Sequence, residues 1–257
     1  MTDGVEEIVP SEVRKSAITS QSIGVAELAA VLAAVPADAE AEAYRHVIVD
    51  RNILGLDTET GRSWRHKTLS RLYTLDPGSV LFRALRDLWG LDAEARPLLA
   101  GLAAMARDTV FRATASLIRD LPYGHQVSTG DFASALHAAF PGAYQENTAE
   151  TIARKASMSW EQTGHLRPER PGVRERVQAV CSPTNVAYAL LLGHLEGHRG
   201  EALFETIWTR VLDRPRSQLM DFAVMASQQG MVEFRSGGGV IEVGFSQLLR
   251  PMDGQLL

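Results

Sequence analysis

The chain has 257 residues, 45% of them hydrophobic and 22% charged, with a formal net charge of −5. That balance suits a globular protein of two or three packed units, and the acidic total excludes a general nucleic-acid coat while allowing a local basic patch. One cysteine, Cys181, excludes an internal disulfide and a multi-cysteine zinc site. The acidic start MTDGVEEIVP and the lack of a long apolar run point to a cytoplasmic protein with no membrane span.

The first twenty or so residues are polar and irregular, which predicts an arm across the surface. Alanine and leucine from Val25 to Val35 predict a short helix stopped by Pro36; Glu40 to Leu54 predicts a second, closed by Gly55. GRSWRHKTLSRLY follows, with Ser63 as its expected N-cap and with Arg62, Arg65, His66, Lys67 and Arg71 as the densest run of cations in the chain. Leu69, Leu72 and Tyr73 give it an apolar stripe. Two readings of Arg62, Arg65, Lys67 and Arg71 stay open, a solvated helix with snorkelling side chains or phosphate contact. Asp76-Pro77-Gly78 marks a turn and SVLFRALRDLWG a helix. PLLAGLAAMARDTVFRATASLIRDL then predicts one long apolar helix, a central strut from Pro97 to Pro122. Arg107, Asp108 and Arg112 within it read as structural ion pairs or exposed charges.

Ser128 or Thr129 opens the helix GDFASALHAAF, which ends at Pro141-Gly142. The next helix starts at Asn147 or Thr148 and buries Ala149, Ile152, Ala153, Ala156 and Trp160 at i, i+3, i+4, i+7 spacing. Asn147, Thr151, Arg154, Lys155, Met158 and Gln162 fall on the opposite side. Gly164 ends this helix. A hairpin turning at Pro171-Gly172 then carries Arg167, Arg170, Arg174 and Arg176 against Glu169 and Glu175. Helix, turn, longer helix and arginine-bearing hairpin is the outline of a winged helix on DNA. Arg154 and Lys155 would sit at the groove edge, Asn147, Thr151 and Gln162 would reach bases or phosphates, and the four hairpin arginines would clamp the backbone.

From Pro183 the chain predicts three helices, PTNVAYALLLGHLEGH, EALFETIWTRVL and RSQLMDFAVMASQQ. A β-hairpin then pairs Val232 and Phe234 with Ile241, Val243 and Phe245 across a glycine turn. This unit repeats the order of the one before it without the basic excess, so it reads as a packing or protein-meeting unit. His194 and His198 stand at i and i+4, but Leu195 follows the first histidine where a metalloprotease has glutamate, and no third ligand is evident; no metal is expected. Cys181 has no motif around it, no phosphate loop or nucleophile elbow is present, and neither enzymatic activity nor a cofactor is expected.

NILG, SWRHKTLSRLY, LFRALRDLW, RPLLAGLAAMARDTVFRAT and SMSWEQTGHL, in that order, resemble the BrxA family, the small DNA-binding component of bacterial BREX phage-exclusion systems. The resemblance runs from about Ile23 to Phe245, with ARDTVFRAT and SMSWEQTGHL its most specific pieces. It implies a mostly helical, non-enzymatic protein that binds double-stranded DNA beside other BREX defence proteins. The expected fold is mainly α, an N-terminal helical bundle followed by winged-helix-like units each ending in a small β-hairpin. The expected divisions are 1–107, 108–180 and 181–257. Backbone-dominated DNA binding is the leading expectation; a protein-interaction scaffold of the defence complex without DNA affinity is the alternative.

Overall fold

The computed structural model describes residues 7–11, 13 and 16–250, which form a mainly helical protein with two small antiparallel sheets. The N-terminal part carries α1 (Val25–Ala34), α2 (Ala41–Val49), α3 (Glu59–Tyr73) and α4 (Val80–Trp89). α3 begins a turn earlier than its cation-rich run suggests. Thr58, in extended backbone, accepts from Gly61 N at 3.0 Å and caps the helix, so Ser63 lies inside it.

The expected long strut is three helices, α5 (Arg96–Arg107), α6 (Thr109–Ala113) and α7 (Ala115–Asp120). Asp108 makes the first break. Its backbone is extended (φ −119, ψ 101), and its Oδ1 accepts from Phe111 N at 2.8 Å, capping α6. Its Oδ2 accepts from Ser16 Oγ at 3.0 Å, Ala17 N at 2.6 Å and Ile18 N at 3.0 Å. Helical pattern alone cannot anticipate a capping residue whose other oxygen is used by a segment ninety residues away.

The arm is therefore clamped rather than laid on the surface. Ile8, Val9, Ala17 and Ile18 are buried. The Glu7 carboxylate accepts from Val80 N and Leu81 N, both at 2.6 Å, and from Ser79 Oγ at 3.0 Å, placing an anion on the first turn of α4. Arg107 and Arg112 donate to the carbonyls of Glu7 and Val9.

β1 (Gln126–Ser128) follows, then α8 (Thr129–Ala139), α9 (Glu146–Gln162), β2 (Leu166–Arg170) and β3 (Val173–Arg176). The strands lie in the order β1-β3-β2, all antiparallel. β1 is three residues long, too short to register as an alternating pattern. α8 is opened by a capping box between Ser128 and Asp131. α9 starts at Glu146 after Gln145, which makes no side-chain cap, so neither Asn147 nor Thr148 has the capping position; Thr151 Oγ1 instead donates to Asn147 O.

Ala149, Ile152, Ala153, Ala156 and Trp160 are all buried. Trp160 anchors the unit. Its indole donates to Thr114 Oγ1 at 2.8 Å, and its ring meets Phe111 at 4.8 Å and His165 at 4.9 Å. Gly101 lets α5 come close to the end of α9, since a Cβ there would lie 2.5 Å from Thr163 Cγ2.

The C-terminal part comprises α10 (Pro183–Leu195), a 3-10 helix (Gly200–Glu205), α11 (Ile207–Arg210), α12 (Arg216–Gln228), β4 (Glu233–Gly237) and β5 (Val240–Gly244). The single helix expected over EALFETIWTRVL is split at Thr206, which is extended (φ −75, ψ 163) and caps α11 through Thr209 N. Phe234 pairs with Val243 in the β4–β5 hairpin, and Val232, Ile241 and Phe245 are buried. Buried apolar side chains from 1–107, 108–180 and 181–257 join one cluster. α10 is tied to the N-terminal helices by Asn185 Nδ2 on Ala95 O (2.9 Å) and Tyr188 Oη on Leu81 O (3.0 Å).

Asp108→Ala leaves the amides of Ala17, Ile18 and Phe111 without their acceptor inside the protein. The expected cost is about 3 kcal/mol or more in urea unfolding, by the penalty for buried donors left unpaired. A change within 0.5 kcal/mol, about the range of a surface substitution, would contradict this account.

Candidate nucleic-acid interface

The cations sort into two groups. Most are held by protein acceptors. Among the described residues, Arg51, Arg62, Lys67, Arg71, Arg154, Lys155 and Arg235 make no side-chain hydrogen bond or ion pair. Arg235 lies across the strand pair from Glu242, and Arg51 follows α2. The others are on α3 and α9.

On α9, Arg154 is exposed and Lys155 half-buried, on the side away from Ala149, Ile152 and Ala156; Asn147 and Thr151 share that side. Gln162 does not join them. Its Oε1 accepts from Gly24 N at 3.0 Å and Val25 N at 3.2 Å, and its Nε2 donates to Ser22 Oγ at 2.9 Å. Gln162 thus caps α1, whose own N-cap, Gly24, has no side chain to do so. The residue is a tie between α9 and the N-terminal part, not an outward polar group.

The hairpin treats its four arginines differently. Arg167 is exposed and pairs across the strands with Glu175 at 2.7 Å. Arg170 is exposed, near the Pro171-Gly172 turn, with only a long 3.4 Å contact to Gln126 Oε1. Gln126 Nε2 donates to Glu169 Oε1 at 2.8 Å, so β1 steadies the outer strand. Thr129 N on Gly172 O (3.0 Å) fixes the turn to the start of α8. Arg174 is mostly buried and donates to Glu161 Oε2 at 2.9 Å, joining the hairpin to α9.

Arg176 is not a surface residue. Its side chain is 2% exposed and meets both oxygens of Asp213, at 2.8 and 2.5 Å, while its Nε donates to Ile118 O at 2.9 Å. The periodicity of a hairpin gives faces, not depth. An arginine at its base is buried here because Asp213, from the loop before α12, comes in to meet it.

α3 sorts its cations the same way. Arg65 is 2% exposed and pairs bidentately with Glu27 of α1. Gly24 makes room for it: the guanidinium occupies the space a Cβ would need, and the backbone there has φ +69. Arg62 is half-buried, and Lys67 and Arg71 are exposed. Arg154, Lys155, Arg167 and Arg170 form the outward set of the α9–hairpin unit, and Lys67 and Arg71 that of α3. Sequence reasoning set Glu175 against the hairpin arginines but missed Gln126 and Glu161 as groups that restrain them. It also passed over Trp64, which is 40% exposed on α3.

The two histidines of HLEGH do not converge. His194 packs on Phe245 at 4.8 Å and His198 is exposed. Among the described residues no group of three His, Cys, Asp or Glu side chains lies within reach of one ion. Cys181 is buried, and burial pushes its thiol up to about 12, the wrong direction for a nucleophile. Among the described residues no helix is long and apolar enough to cross a membrane.

Below the hairpin, His165 is fully buried. Its Nε2 donates to Val211 O at 2.8 Å and its Nδ1 faces the Thr163 hydroxyl at 2.7 Å. Burial lowers it to about 4, against the pull of Asp213. A base lowered in the fold binds fewer protons folded than unfolded, so its stabilisation is full above about pH 6.5 and is lost as pH falls toward 4. Between pH 7 and 5, wild type should lose about 2 kcal/mol more unfolding free energy than His165→Gln, measured by urea titration. Equal losses would show that His165 does not titrate this way. No family model, curated protein or solved structure matches the chain.

Proposed function

We propose that this protein binds double-stranded DNA, mainly through the phosphate backbone, with α9 and the β2–β3 hairpin as a winged helix. The observation that carries the reading is the placement of free cations. Arg154 and Lys155 stand unpaired on the outer side of α9, while nearly every arginine outside α3 is held by the protein's own oxygens. The order α6–α7, β1, α8, α9, β2, β3, with strands in the order β1-β3-β2, supports it, because a winged helix is connected in that way. The resemblance of the sequence to BrxA proteins supports a place among the proteins of a BREX anti-phage system.

Of the six cations first read from α9 and the hairpin, Arg176 is buried and Arg174 is held by Glu161. Arg154, Lys155, Arg167 and Arg170 are left, few enough for modest affinity. On the outward side of α9 only Asn147 and Arg154 are of the Asn, Gln or Arg type that pairs bidentately with bases, so shape and backbone outweigh sequence readout.

A protein-interaction scaffold is the second reading. α12 holds the same place in the C-terminal unit as α9 does in its own, yet it exposes Val224 and Met225, both at 42%, and its one cation, Arg216, pairs with Glu201 at 3.3 Å.

Arg154→Glu/Lys155→Glu should weaken duplex binding at least about tenfold at low salt and make log K against log salt shallower by about 2, from the loss of two counterion-releasing contacts. Fluorescence anisotropy at two salt concentrations measures both. Unchanged binding in the double variant would overturn the α9 assignment; a wild type without duplex affinity at low salt would leave the scaffold.

A further inference from the structure

Thr60, Trp64, Lys67 and Arg71 fall at i, i+4, i+7 and i+11 of α3, and all four are exposed. That spacing keeps them on one stripe about 16 Å long. The opposite side of α3 holds Arg65, Leu69 and Tyr73, each buried. Two of these reach the start of α1: Arg65 pairs with Glu27, and Tyr73 Oη donates to Ile23 O at 2.8 Å.

The same short segment meets α9 on its other side, through Ser159 Oγ on Ile23 N (3.2 Å) and Gln162 Oε1 on Gly24 N (3.0 Å). Ile23–Glu27 therefore stands between the two helices, and the outer stripe of α3 points away from α9.

The stripe has the composition of a polyanion contact. Lys67 and Arg71 have no protein partner among the described residues, and no acidic residue lies on the stripe. They are one helical turn apart, about 6 Å, close to two steps along one DNA strand at about 3.4 Å each. Arg51, eight residues before the helix's first residue, is a further exposed, unpaired cation, whereas Arg62 falls on the side of Leu69 and does not join the stripe. The indole of Trp64 is the apolar member among them. It is 40% exposed, whereas Trp89, Trp160 and Trp208 are at 5%, 1% and 0%. A large aromatic left out of the core, on a helix that already buries five residues, marks a contact surface.

We propose that the Trp64–Lys67–Arg71 stripe is a second DNA-contacting surface, separate from α9 and facing another way, so that one chain bridges two duplex segments. The inference rests on the DNA reading for the chemistry of its partner, and extends it from one surface to two.

Trp64 reports on its own surface, since it supplies the exposed part of the tryptophan emission. Adding duplex should quench the iodide-accessible fluorescence of wild type. The same quenching should persist in Arg154→Glu/Lys155→Glu and disappear in Trp64→Phe. In a bead assay, protein bound to an immobilised duplex should capture a second, labelled duplex. Lys67→Glu/Arg71→Glu should reduce that capture at least tenfold while retaining binding to the first duplex, and its unfolding curve should match wild type because both side chains are exposed.

Capture undiminished in Lys67→Glu/Arg71→Glu would overturn the second surface. So would Trp64 emission that ignores duplex, or that responds equally to polyglutamate, which would assign the stripe to an acidic protein. Full capture by the α9 variant would instead overturn the α9 reading and leave Trp64 quenching intact, so the two failures are distinguishable.

Discussion

The carboxylate of Asp108 organises this fold more than any other single group. It is 1% exposed and accepts four hydrogen bonds, one ending the α5–α6 run and three fastening residues 16–18. Burial pushes its carboxyl upward, against those four donors, which favour the ionised form. The arm it holds runs on to Ile23 and Gly24, the residues that meet α9. The orientation of α9 relative to the N-terminal helices thus depends on a strap whose other end is held at Asp108. α9 is therefore positioned by more than its packing on α8.

Much of this could be read from sequence, and what could not has specific causes. The buried face of α9 followed from helical period because apolar burial alone decides it. The turns at Gly164 and Gly172 followed from glycine, which both positions use at positive φ. The cations of α3 and α9 stood out as a cluster, but their individual fates did not. Arg65, Arg176 and Gln162 face inward or sideways because Glu27, Asp213 and residues 22–25 come from distant parts of the chain to meet them. Period says which side of an element a residue occupies, and only tertiary partners say whether that side is solvent. The breaks at Asp108 and Thr206 escaped for the same reason, since each is a capping side chain inside an otherwise continuous apolar pattern.

The two helix-and-hairpin units show how little a shared order of elements says about use. The first hairpin is one part of a three-stranded sheet and is tied to α8, β1 and α9 by Thr129, Gln126 and Glu161 respectively. The second is a two-stranded sheet, and its partner helix turns Val224 and Met225 outward. A rigid, cation-tipped hairpin suits a regular polyanion. Two exposed apolar side chains on α12 would suit a protein partner better than a polyanion.

An acidic protein can hold a polyanion only if its cations are sorted, and here the sorting is by competition. Arg167 faces Glu175 and Arg174 faces Glu161 inside the unit that would meet DNA. Phosphates approaching Arg167 must either displace the carboxylate or share the guanidinium with it. Sharing is feasible at Arg167, whose side chain is 64% exposed, and much less so at Arg174, which is 13% exposed. Arg154, Lys155, Lys67 and Arg71 face no such competitor. Binding energy should therefore concentrate in the helices while the hairpin sets orientation. On the proposed reading, a surface built this way would bind weakly by itself, and joining two of them on one chain would raise the avidity for DNA without strengthening either one.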